Sequence, residues 1–179
     1  MKSIKKNNSA LSAAYVVIIA IGALITVPFG PVPFTLQTFS ITLIAFIATP
    51  RQATIAIITY ILLGAIGVPI FSSMRGGIGV LIGPTGGFLI GYALTLPFIT
   101  LACNKLKSKL SKTPQMLAYL LLGILMTGIA YTIGTAQYMI VANVSFAVAL
   151  TVTVVPFVLI DLTKIAVALA FSLMLNKHL

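Results

Sequence analysis

Negative charge is almost missing from this sequence. Its 179 residues hold one acidic side chain, Asp161, against eleven Lys and Arg, for a formal net charge of +10. There is no tryptophan, one cysteine and one histidine. Each shortage closes off a class of function. A single carboxylate cannot supply an acid/base pair, a metal cage or a chain of proton carriers. Cys103 cannot form an internal disulfide, and no Cys/His cluster suggests a metal site. The lone His178 stands next to last, as solvated tail, so no Ser–His arrangement is available. No GxxxxGK[ST] motif occurs, which excludes ATP binding through a P-loop. The chain is thus expected to be no enzyme and to need no cofactor. What survives these exclusions is binding of a small, mostly neutral or anionic solute.

Polar side chains are scarce as well. Hydrophobic residues make up 60% and charged residues 7% of the chain, where a soluble domain carries about 25% charged residues. That is too little polar surface to keep a particle in water, so the solvent is lipid and the chain crosses it several times. The net charge does not signal nucleic acid, because the cations lie in short runs between apolar spans. The opening MKSIKKNNSALSAAYVVIIAIGALI has the order of a secretory signal, but its small residues precede the apolar core instead of following it. It is read as a retained first membrane helix.

Punctuation divides the chain into six spans, at about 10–27, 36–49, 52–66, 85–103, 115–137 and 156–175, within one integral membrane domain covering 1–179. The expected fold is all-α. The second and third spans are short for a hydrocarbon core of about 30 Å. A less regular stretch, 138–155, precedes the sixth span. With six spans both termini share a side, and Lys2, Lys5, Lys6, Arg51, Lys105, Lys107, Lys109, Lys112 and Lys177 all fall on it. The positive-inside rule makes that side cytoplasmic. Arg75 alone falls on the outer side, and Asp161 and Lys164 fall within a span. No internal repeat is evident, nor a pair of inverted broken helices.

These exceptions point to the chemistry. With Pro156 opening the sixth helix, Asp161 and Lys164 lie one to two turns in from its outer end, and their i, i+3 spacing puts them on one face. Such a pair either fixes helix packing or faces a cavity and hydrogen-bonds a solute. The stretch GGIGVLIGPTGG, residues 76–87, allows close approach of backbone to a ligand or another helix. Pro84 is expected to start the fourth helix, so that the N–H groups around Thr85, Gly86 and Gly87 point outward; with Arg75 upstream they could hold a carboxylate. Gly87 and Gly91 could equally form a packing seam. The loop GPVPFTLQTF, 30–39, stiffened by Pro31 and Pro33, carries Phe34, Thr35, Gln37 and Thr38: either a cover over a cavity or a plain interhelical turn. Ala10 and Ala14 form a small-xxx-small pair on the first helix, suited to tight packing within the bundle or against a partner.

Three motifs in order, VPFTLQT (32–38), GGIGVLIGPTGGFLIGY (76–92) and PFVLIDLTK (156–164), resemble those of the BioY family, the biotin-specific substrate-binding (S) components of energy-coupling factor (ECF) transporters, over nearly the whole chain. The resemblance implies a six-helix S-component bundle in a prokaryotic cell membrane that takes up biotin from the extracellular side. It implies a transmembrane coupling protein and two cytosolic ATPases as partners, so that ATP is used by other subunits. It carries a ligand role to Asp161 and Lys164 and a coupling-protein contact to Ala10 and Ala14. Asp161 as acceptor and Lys164 as donor complement the ureido edge of biotin. In that pose Arg75, Gln37 and the amides of Thr85–Gly87 meet the tail or its carboxylate, and Phe34 and Tyr92 wall the thioether ring, with Thr35 a further substrate-binding candidate; the reverse pose puts Lys164 on the carboxylate. A stand-alone facilitator or channel for another vitamin-like solute is the alternative.

Overall fold

The computed structural model describes residues 2–175, with side chains from Asn8 onward. Lys177 and His178 lie outside the described residues, as do the side chains of Lys2, Lys5 and Lys6. The elements run α1 (Lys2–Leu24), β1 (Thr26–Val27), β2 (Phe34–Thr35), α2 (Gln37–Ile47), α3 (Pro50–Ala65), α4 (Ile78–Ile82), α5 (Gly86–Lys107), α6 (Lys112–Ala142), α7 (Phe146–Thr153) and α8 (Val158–Leu175), with a 3-10 turn at Ser72–Met74.

Each expected span contains a helix, but their limits and lengths differ from the expectation. Among the described residues three helices, α5, α6 and α8, are long and apolar enough to cross a membrane; Asn8–Leu24 and Gln37–Ile47 are shorter apolar helices. The all-α expectation omits the hairpin of β1 and β2, paired antiparallel with Thr26 opposite Thr35 and Val27 opposite Phe34. The stretch 138–155 is more regular than expected. No breaker interrupts α6 until Asn143, which takes a left-handed conformation (φ 52°) at its C-cap, and α7 follows. Pro156 sits in a turn, and α8 opens at Val158, so Asp161 lies in its first turn. There an acidic side chain faces the positive end of the helix dipole.

Local chemistry explains the sharper boundaries. Thr49 caps α3 through a reciprocal capping box with Gln52, and Pro50 occupies its first turn. The last turn of α5 carries Lys105 and Lys107, cations that suit the negative end of a helix.

At the centre stands α2. Nine of its eleven residues are buried, and it packs among α1, α5, α6 and α8. A helix of that length spans about 16 Å at 1.5 Å per residue, roughly half of a 30 Å core. Its first residues, Gln37 and Thr38, are buried, and Leu36 just ahead of them donates its N–H to the Ile25 carbonyl, where the hairpin begins. On the outward faces Val17, Ile21, Phe98, Leu121, Leu125, Leu159 and Phe171 are exposed, an apolar belt at home only in lipid. Close contact between α5 and α6 follows the glycine seam: a Cβ on Gly91 would stand 2.6 Å from Ala130 Cα, and one on Gly87 2.7 Å from the Ile133 carbonyl oxygen.

Candidate solute-binding site

Above the buried N-terminus of α2, at the end of the bundle reached by the α1–α2, α3–α5 and α6–α8 connections, lies a cavity of about 80 Å³. Asp161 and Lys164 of α8 face it together with Tyr131 of α6, Tyr92 of α5 and Gln37 of α2. The carboxylate and ammonium are largely buried, at 6% and 11% side-chain exposure, with Lys164 Nζ 2.8 Å from Asp161 Oδ1. The ammonium also donates to the carbonyl oxygen of Thr35 at 2.6 Å. The other carboxylate oxygen, Oδ2, accepts from the Tyr131 hydroxyl at 2.6 Å. One acid thus receives two strong donors from two helices, and the lysine ties the β2 strand to α8.

A second polar chain stiffens the floor. Gln37 Nε2 donates to the Tyr60 hydroxyl at 2.9 Å, and that hydroxyl donates to the Ile70 carbonyl at 3.0 Å. Beside it the Tyr92 hydroxyl donates to Thr38 Oγ1 at 3.3 Å. Phe157 closes one wall, with Phe34 packed against it in a tilted pair at a centroid distance of 4.4 Å and Phe29 against Phe34 at 4.8 Å. The cavity therefore combines an ion pair, several hydroxyls and an amide with aromatic walls, the composition of a site for a small solute with a polar edge and an apolar body.

Of the residues singled out from sequence, Asp161, Lys164, Gln37, Thr35, Thr85 and Tyr92 line this cavity. Phe34 lies one layer behind. Arg75, Gly86 and Gly87 do not line it. The exposed Arg75 side chain folds back onto its own turn, donating from Nε to the Ser72 carbonyl at 3.2 Å. Gly86 donates its N–H to the Gly83 carbonyl at 3.2 Å, and Gly87 presses against α6. The helix α5 begins at Gly86 with Thr85 as N-cap, so Pro84 precedes the helix instead of starting it. The carboxylate cradle expected from Arg75 and the Thr85–Gly87 amides is not assembled. Ala10 and Ala14 are exposed on α1.

Sequence reasoning missed Tyr131, Phe157 and Thr153. The one available signal for Tyr131 was general: a tyrosine in an apolar span needs a partner for its hydroxyl, and the chain holds a single acid. Gln137 was missed too. Its Nε2 donates to the carbonyls of Leu81 and Gly83 at 2.8 and 2.7 Å, which secures the turn ahead of α5.

A lipid-facing helical bundle with a recessed, half-polar cavity at one end is a membrane protein built to hold a solute. The chain matches the BioY family over residues 1–179, and it belongs to that family. It is 39% identical over 163 residues to the biotin transporter BioY of Thermotoga maritima, covering 91% of this chain and 92% of the relative. It is 33% identical to the biotin transporter BioY2 of Lactococcus lactis, covering 100% and 95%. Its structure is similar to the crystal structure of the S-component for biotin from an ECF-type ABC transporter, with a TM-score of 0.86 and 26% identity over 99% of this chain and 94% of that one.

Proposed function

We propose that this protein captures biotin in the cavity around Asp161 and Lys164, as the solute-binding membrane component of an ATP-driven uptake system in a prokaryotic cell membrane. One observation carries the reading: the chain's sole carboxylate and its only membrane lysine meet in the cavity of a BioY-family bundle.

The polar arithmetic supports it. An ammonium has three donors, and two are engaged, on Thr35 and Asp161. The third is aimed by those two bonds and meets the ureido carbonyl. A carboxylate offers about four lone-pair directions; Lys164 and Tyr131 use two. The ureido N–H groups take the others. Both ions remain paired before and after binding, so the solute adds charge-assisted bonds without leaving a buried charge alone. Gln37, Thr35 and Thr85 meet the valerate tail, and Tyr92 and Phe157 flank the thioether ring, with Phe34 behind.

In this reading the chain is one membrane domain of six spans, with both termini and the basic loops on the cytoplasmic side and the cavity on the extracellular side. The sequence has no P-loop motif, and energy comes from a transmembrane coupling protein and two cytosolic ATPases. Ala10 and Ala14 contact the coupling protein.

Titration of the purified protein in detergent with biotin, and in parallel with pantothenate, thiamine and lipoate, tests the assignment. Saturable binding of biotin alone is expected. Equal or better binding of another vitamin, or none of biotin, refutes it.

A further inference from the structure

Beside the solute cavity, α6 and α7 leave a second recess, a groove of about 450 Å³ lined by Gly128, Thr132, Ala136, Phe146 and Leu150 among others. It is several times the size of the cavity, at about 80 Å³, and it is mostly apolar. Among the described residues Tyr131 alone borders both spaces. Behind it the partition continues through a buried hydroxyl pair, Thr135 on the groove side and Thr153 on the cavity side, 2.8 Å apart. The Tyr131 ring is held by an edge-to-face contact with Phe88 at 6.3 Å, and its hydroxyl is pinned to Asp161 at 2.6 Å.

We infer that Tyr131 is the residue that sets which solutes fit: its hydroxyl positions Asp161, and its ring is the wall that keeps a larger lateral space out of the binding cavity. The two roles separate chemically. Losing the hydroxyl frees the carboxylate but leaves the ring. Losing the ring joins the two spaces, so the site accepts biotin derivatives that carry added bulk on whichever end faces the wall. This rests on biotin as the solute, and the pose decides which end that is. One turn before the wall on the same face of α6, Gly128 offers a control. A Cβ there meets nothing within 4 Å, so a side chain can start from this position into the groove it lines.

The experiment compares wild type, Tyr131→Phe, Tyr131→Ala, Gly128→Leu and the Tyr131→Ala/Gly128→Leu double variant, purified in detergent. The probes are biotin, a biotin N-methylated on the ureido ring, and biocytin, whose tail is extended as an amide. Tyr131→Phe is expected to bind biotin at least about tenfold more weakly and to discriminate against both bulky probes as wild type does. Tyr131→Ala is expected to narrow the gap between biotin and one bulky probe by at least about tenfold, and Gly128→Leu to restore that gap in the double variant while leaving biotin binding unchanged on its own. A gap unchanged in Tyr131→Ala, or narrowed and not restored by Gly128→Leu, overturns the wall. Wild-type affinity in Tyr131→Phe overturns the positioning role. Wild type that fails to bind biotin overturns the functional reading as well, which distinguishes the two failures. Should Tyr131→Ala not fold, Tyr131→Leu makes the smaller opening and is read in the same way.

Discussion

Asp161 carries more than its own charge. It accepts from Lys164 and from Tyr131, and no other acid exists in the chain to replace it. Removing one member of a buried pair strands the other, at a cost of about 3–5 kcal/mol. Asp161→Asn is therefore expected to weaken biotin binding at least about a hundredfold, or ~2.7 kcal/mol, and calorimetric titration reads this directly. Lys164→Ala is expected to do the same for a further reason: the strand tie to Thr35 disappears with the ammonium. Wild-type affinity in both variants would remove the pair from the site. Arg75, by contrast, is hydrogen-bonded to Ser72 and does not itself line the cavity. The present geometry gives Arg75→Ala no direct loss of solute contact.

At the level of the element, the short central helix and the glycine seam position these residues. The half-length α2 leaves the cavity its room, and the close approach of α5 to α6 brings Tyr92 and Tyr131 to neighbouring walls. A side chain on Gly91 would run into the Ala130 backbone, and overpacking of this kind costs about 1–3 kcal/mol. Gly91→Leu is expected to lower the thermal unfolding midpoint in detergent; a midpoint equal to wild type would show that the seam yields freely. The cap of α3 lies at the far end from the cavity. Thr49→Ala removes the hydroxyl that accepts from the Gln52 N–H and is expected to lose about 1 kcal/mol of stability with biotin affinity unchanged. A change in affinity would reveal coupling between the two ends.

Orientation and assembly are properties of the whole molecule. Cys103 is fully buried, so the native protein offers a quiet background for thiol labelling. Ser108→Cys, in the exposed turn after α5, is expected to react with an impermeant maleimide only from the cytoplasmic side, and Ile78→Cys, at 67% exposure on α4, only from outside. The opposite result would invert the proposed topology. Ala10 and Ala14 lie exposed near the end of α1 away from the cavity. Ala10→Trp is expected to keep biotin binding and to prevent co-purification with the coupling protein; normal co-purification would move that contact elsewhere.

Composition was enough to show that the solvent is lipid, because 7% charged residues cannot cover a particle in water. Proline and basic residues between the apolar runs separated six helices, because both act through local sterics and solvation, but α1 begins eight residues before and α6 ends five residues after the expected limits, and α4 and α7 were not expected. Asp161 and Lys164 stood out for the same reason, as ions in an apolar run. Tyr131, Phe157 and the fate of Arg75 were not legible. Nothing in the local sequence tells Tyr131 from other tyrosines, and the packing of α6 against α8 alone lays its hydroxyl on Asp161. Likewise the Gly86 N–H, expected to be free, is taken by the Gly83 carbonyl, because the turn before α5 folds back on itself and Gln137 of α6 holds it. What a residue costs to place in lipid is written in its own chemistry; which residue it meets there depends on how distant helices cross, and only the folded bundle determines that.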